Sequence, residues 1–497
     1  MRTGLMSVAG VVGAAMIAWS CAGILPHDDC LDYGTCTGLA AEGGPGGEGD
    51  GGAEGGAVIP ATCDLTKSAK DSPDCVVDGV GVFVSPTGKD GARGTKADPL
   101  RSIADGVAKA SADRKPRVYV CEGTYDAAVT LAEGVSIFGG LSCAWALTGA
   151  KPRLAPAKGI ALRVTKVTSA IVVEDFEIAG SADPNTPSDS AIAVFVSDSG
   201  PITLRRVKLS AGAATPGSNG TKRSNYAGSA AATGGNANGA LAGQGASCSC
   251  MDATTSKGGN GAAGNGADVS AGGAMPPVGA ANSGSSNLTT CGEGTVGTNG
   301  AAKPAGASTS VPGSLSAQGW STPNSMINAP NGNPAQGGGG GGAKTQGGTN
   351  AGGGGGCGGC GGAGGVSAQS GGSSFALLAF NSSIVVEGGA LISGAGGAGG
   401  TGGAGQDGEP GGGVGTGACN GGPGGAGAGG TGGSGGAGGH SAPIGFVGTE
   451  PHVTGATLTP GMKGAVGPGG MAGAGPGAPG SAGAQGPEGK AAPSLAL

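Results

Sequence analysis

The chain has 497 residues, among them 120 Gly, 30 Pro and 13 Cys, with 3% aromatic and 12% charged residues and a net charge of −6. So much glycine beside so few large apolar groups excludes one continuous core over the whole length, because most of the ordering entropy would go uncompensated. The charge is weak and dispersed, with no basic run or aromatic platform, which excludes nucleic acid as a partner.

The N-terminus, MRTGLMSVAGVVGAAMIAWSC, has a positive Arg2 and a small-and-apolar run from Leu5 to Ala18, too short for a membrane span. Residues 1–20 are expected to be a signal peptide. Ala18-Trp19-Ser20-Cys21 resembles a bacterial lipobox, which makes Cys21 a candidate lipidation site and the membrane a partner through a lipid anchor. Twelve cysteines then remain, an even number that in an exported chain favours disulfides. Cys30, Cys36, Cys63 and Cys75 belong to a linker over 21–75. Cys357-Gly-Gly-Cys360 is half of a zinc site at most, since Cys248 and Cys250 have the wrong spacing and the three histidines are scattered. No cofactor or metal is implied.

Residues 76–211 carry the organised core. Val80–Val84 has the pattern of a strand. Asp98-Pro99 is expected to cap a helix in which Leu100, Ile103, Val107 and Ala110 share one face. Short strand-like runs follow at 118–120, 128–131, 135–138, 160–164, 170–178, 191–196 and 202–209. One helix and then many short strands predict an all-β solenoid with an N-terminal capping helix.

An internal repeat supports this. AIVVEDFEIAG (170–180) aligns without a gap to PITLRRVKLSA (201–211), so that Glu174, Asp175 and Glu177 face Arg205, Arg206 and Lys208. On consecutive coils these would stack acid over base about 4.8 Å apart and fix the register. SIVVEGGALISG (383–394) is a third copy with Glu387 in the charged column, and SFALLAF (374–380) resembles SAIAVFV (190–196). The coil is therefore expected to stop near 211, extrude an insertion over 212–372 and return at 373–394.

GVFVSPTGKDGARGTKADPLRSIADGVAKA followed by RVYVCEGTYDAAVTLAEGVSIFGGLSC resembles the start of a pectate-lyase-like right-handed parallel β-helix. The family is an exported bacterial one without a settled activity, common in myxobacteria-like organisms. The resemblance covers about 78–210, with the return at 374–394, and implies the fold and an exported location. On that fold the 22-residue separation of Cys121 and Cys143 is close to one coil, so a disulfide joining adjacent coils is expected, with Cα atoms within about 7 Å.

Residues 395–497 are expected to form a glycine-rich tail. Gly recurs every third position over 396–411, 421–439 and 461–489, with one slip in the last run. That period fits helices of three residues per turn. A collagen-like trimer, three-fold helices packed within one chain and a disordered extension all remain open. Functionally, two classes compete. The first is a lipid-anchored, non-catalytic protein of the outer membrane or cell surface, with a structural or adhesive role and polysaccharide or matrix as candidate partners. The second is a polysaccharide lyase or glycoside hydrolase, whose best candidates are Glu174, Asp175, Glu177, Arg205 and Arg206. Their matched charges favour the first.

Overall fold

The computed structural model describes residues 59–497 except 229, 268, 274–280, 307, 309, 324 and 325. The expected signal peptide, Cys21, Cys30 and Cys36 lie outside the described residues. The chain is all-β, built on two parallel sheets, and its one α-helix among the described residues is Ile103–Ala112.

The first sheet has eleven strands. Its main path runs through Gly81–Lys89, Arg117–Cys121, Ser136–Leu141, Ile171–Glu174, Ile202–Ala211 and Ile384–Ile392, with shorter strands alongside. The second has six: Val129–Leu131, Leu162–Thr165, Ala191–Ser197, Ser374–Phe380, Ser441–Val447 and Ser494–Ala496. Successive passages of the chain alternate between the sheets. Val118, Val173, Leu204 and Val386 from one face meet Leu162, Val194, Leu377 and Ile444 from the other in a common core. The repeat pairs as aligned: Ile202 lies opposite Ile171 and Ile384, and Arg205 opposite Glu174 and Glu387. In the second sheet Ala191, rather than Ser190, lies opposite Ser374, which sets Phe375 beside Ile192 and Leu378 beside Phe195 on the outer face.

Many passages turn at a left-handed residue. Asp175 (φ 55°), Arg206 (φ 51°) and Gly388 (φ 69°) follow the paired positions 174, 205 and 387. Lys166, Asp198, Asn381 and Gly448 do the same after the strands of the second sheet, with φ between 45° and 91°. Asp and Asn tolerate this region better than most residues, and glycine takes it freely.

The helix begins four residues later than expected. Ser102 is its cap, its hydroxyl accepting from Asp105 N–H at 3.2 Å. Pro99-Leu100 stays extended instead, with Leu100 bridging to Val84 and Lys89. Ile103, Val107 and Ala110 are buried as their spacing requires. Residues 60–80, closed by the Cys63–Cys75 disulfide, cover part of the outer face of the first sheet and pack on Phe83, Tyr119 and Phe138. Arg117 fixes this flap by donating to the carbonyls of Leu65 and Lys67. Cys121 and Cys143 are disulfide-bonded, with Cα atoms 4.9 Å apart.

The glycine-rich segments pack within the chain. Each runs outward from the end of a first-sheet strand and back to the start of a second-sheet strand. Residues 394–440 join Ile392 to Ser441 in this way, and 461–489 lead from Thr459 towards Ser494. Residues 395–497 therefore contain four strands, and 212–372 form the longest excursion. Neighbouring segments exchange backbone hydrogen bonds every third residue. Gly396, Gly399, Gly402, Gly405 and Gly408 donate to the carbonyls of Met462, Ala465, Pro468, Met471 and Ala474. This is the spacing of a three-residue turn, whose backbone has no bonds of its own to make.

The number of glycines per turn follows the number of covered faces. Gly352–Gly356 are bonded to six surrounding segments, near residues 235, 243–246, 259–262, 338–341, 412–415 and 419–422. A Cβ on any of these five glycines would lie 1.9–2.2 Å from a backbone oxygen. In segment 461–473 a Cβ on Gly464, Gly467 or Gly470 would lie 2.0 Å from a carbonyl of 397–403, and one on Gly469 would lie 1.9 Å from the Gly483 oxygen of the last excursion, while Met462 and Met471 are exposed. Where the lattice leaves a backbone N–H without a carbonyl, an amide side chain supplies one. Asn219 accepts from Thr401, Asn236 from Thr416, Asn299 from Ala426 and Asn331 from Gly364.

Three disulfides fasten the bundle: Cys248–Cys357, Cys250–Cys360 and Cys291–Cys419. Cys357 and Cys360 are one three-residue turn apart, so both face the same neighbouring segment and pair with it; the C-x-x-C spacing serves that segment rather than a metal.

Candidate functional site

The charged column lies on the outer face of the first sheet. Val173 and Leu204 point into the core, so Glu174 and Arg205, one residue further along each strand, point away from it. Arg205 stands between two acids. Its Nη1 is 3.2 Å from Glu174 and its Nε is 2.6 Å from Glu387. Arg206, thrown to the same side by its left-handed turn, reaches Glu174 at 2.5 Å and both oxygens of Asp175 at 2.7 and 3.0 Å. Glu177 sits apart from this cluster, 3.4 Å from Lys208 near the surface.

Burial sets the electrostatics. The Glu174 side chain is only 2% exposed, and its desolvation pushes its carboxyl above the usual range against the pull of Arg206 and Arg205. Its two oxygens are engaged by two different guanidinium groups. Hydrogen bonds that the Arg206 guanidinium donates to Asp175, and the charge of both acids, hold it firmly protonated. Fork-shaped donors suit this bridging role in a way that lysine would not.

Beside the cluster is a cavity of about 270 Å³ lined by Lys70, Gly140, Leu147, Thr148, Gly149, Asp175 and Arg206. Lys151 donates to the Arg206 carbonyl at 2.5 Å and so closes the turn from behind. Four of the five enzyme candidates, Glu174, Asp175, Arg205 and Arg206, therefore meet, and Glu177 does not join them. Lys70 and Lys151 were not foreseen. Lys70 comes from the flap more than a hundred residues before Asp175, and no local spacing signals such an approach. Among the described residues no group of three or more His, Cys, Asp or Glu is placed to hold a metal ion. No helix among the described residues is long and apolar enough to cross a membrane.

No family model, curated protein or solved structure matches the chain.

Proposed function

We propose that the protein is an exported, non-catalytic surface protein, held to the membrane by acylation at Cys21, in which a right-handed parallel β-helix carries a glycine-rich bundle in a structural or adhesive role. Polysaccharide or matrix is the proposed partner. The observation that carries the non-catalytic reading is the saturation of the charged column: each acid on it is matched to a base, and Glu174 is matched to two. A general acid or base must be able to exchange its proton with substrate, and a carboxylate clamped by two guanidinium groups is poorly placed to do so. The solenoid reading draws support from the unbroken parallel pairing and from the left-handed turns that recur at the same register.

The second reading, a polysaccharide lyase or glycoside hydrolase on the same scaffold, draws on the cavity that Lys70, Asp175 and Arg206 border. Incubation of the full chain with polygalacturonate and a panel of mixed polysaccharides, alongside glycan-array binding, separates the two. The structural reading expects binding without new reducing or unsaturated ends. Turnover that disappears in Arg205→Ala would overturn it. Acylation is tested by mass spectrometry of the membrane fraction, where an unmodified Cys21 would remove the anchor from the proposal.

A further inference from the structure

Strand Ser494–Ala496 ends the second sheet and is paired on one side only, to residues 444–446. The approach to it is tied to the preceding passage by backbone bonds, among them Gly438 N–H to the Pro487 carbonyl and Ile444 N–H to that of Pro493, and at one buried imidazole. Lys490 N–H donates to Nδ1 of His440 at 2.9 Å, Ser441 N–H donates to the Lys490 carbonyl, and Ala492 N–H to the Ser441 carbonyl. His440 is 8% exposed. Against its other side stands Trp320, edge-on, with ring centres 6.0 Å apart; the same indole packs 5.1 Å from Phe375. Trp320 belongs to the hairpin over 314–321, and its buried Nε1 has no partner among the described residues. Hairpin and last strand together cover the outer apolar face formed by Ile192, Phe195, Phe375 and Leu378.

We propose that His440 is a proton-operated latch: adding a proton to its imidazole releases residues 490–497 and loosens the Trp320 hairpin, uncovering the outer apolar face of the second sheet. The tie needs a lone pair on Nδ1. A protonated imidazole donates from both nitrogens, so Nδ1–H would face Lys490 N–H donor to donor.

Among the described residues no carboxylate acts on the ring to hold the cation. The last segment presents the Lys490 ammonium, which repels it. Ser373 and Trp320, from the elements on the other sides, are uncharged. Lys463 and Glu488 pair with each other, and Glu450 accepts from the Ser494 hydroxyl beyond the latch. Burial first and Lys490 second push the imidazole down from 6.5 to about 4. The closed form therefore binds fewer protons than the open form between those values. Closure is fully stable above about 6.5 and weakens as the pH falls, the opening equilibrium reaching about 100 times its neutral value near pH 4 and about 200 times at pH 3. A terminal strand with one paired edge is the element expected to open first.

Amide hydrogen exchange of the full chain, read by mass spectrometry from pH 7 to pH 3 and normalised to free-chain rates, tests this. Residues 490–497 should lose protection by up to about 200-fold across the window, while strand Ser374–Phe380 keeps its own. In His440→Gln the side-chain oxygen still accepts from Lys490 but does not titrate, so protection should become independent of pH. In His440→Ala residues 490–497 should be unprotected already at pH 7. Unchanged wild-type protection at pH 3, a protected His440→Ala, or loss in His440→Gln over the same window would each overturn the latch. So would a His440 ring titration by NMR that does not coincide with the loss.

Discussion

Gly355 is a direct test of the rule that covered faces demand glycine. In Gly355→Ala the new Cβ would lie 2.1 Å from the Gly338 oxygen, where ordinary contact begins at 3.4 Å. The two segments must part by more than 1 Å, and other segments close every direction of retreat. Three backbone bonds lie within reach of that displacement: Gly355 N–H to Gly259, Ala246 N–H to Gly355, and Gly338 N–H to Gly356. Their lengths of 2.8–3.0 Å leave no slack. Each is worth about 1 kcal/mol, and a buried donor left unpaired costs about 1–3 kcal/mol more. The stiffer unfolded chain of the alanine variant returns about 0.4–1 kcal/mol. The expected net loss is about 3–5 kcal/mol, a large part of the stability of an ordinary domain. Guanidinium unfolding followed by circular dichroism, with disulfides intact, measures it. Ala482→Val, on an exposed outward position of the last excursion, is the matched control and should change stability by less than about 0.5 kcal/mol. A Gly355→Ala variant as stable as that control would refute the argument that backbone contact, rather than composition, dictates these glycines.

Three further outcomes are expected. Arg206→Ala removes one of the two cations that buried Glu174 has among the described residues and the one that Asp175 has there, and should destabilise by about 3 kcal/mol; adding Glu174→Gln should recover part of the loss, which a double-mutant cycle by chemical denaturation would show. Replacing both Cys121 and Cys143 by Ser opens a 22-residue loop and should lower stability by about 3 kcal/mol, seen as a fall in Tm under non-reducing conditions, whereas an unchanged Tm would remove the staple from the account of the first strands. Ser102→Ala leaves Asp105 N–H without its acceptor and should cost about 1 kcal/mol, while Asp98→Ala, at the cap expected from the sequence, should leave the helix start as it is; helix-region hydrogen exchange distinguishes the two.

Much of the strand order was legible because strand pairing leaves a local trace. The alternation in IVVE and ITLR, and the sign change from Glu174 to Arg205 to Glu387, are properties of short windows that survive comparison at any distance along the chain. The last strands were missed for a physical reason. SAPIGFV carries a proline and a glycine that suppress its strand signal, yet Gly445 is where the Phe375 and Leu378 side chains fit: a Cβ there would lie 2.7 Å from Leu378. The charged column was visible as complementary residue types. Its neighbours Lys70, which lines the adjoining cavity, and Lys151, which bonds the Arg206 carbonyl, were not, because they come from a flap and a loop whose approach depends on the finished sheet.

The parallel all-β architecture of the core, the register of its repeat and the three-residue period of the glycine segments are all legible in the order of the residues. Each is written in residues a few positions apart. Whether those glycines would pack on one another, join other chains or remain extended was decided only by the tertiary structure. A glycine with a neighbour 2 Å from its absent Cβ and a glycine in open solvent are the same letter. What separates them is which segments lie beside them, and that is fixed by where the sheets release and recover the chain.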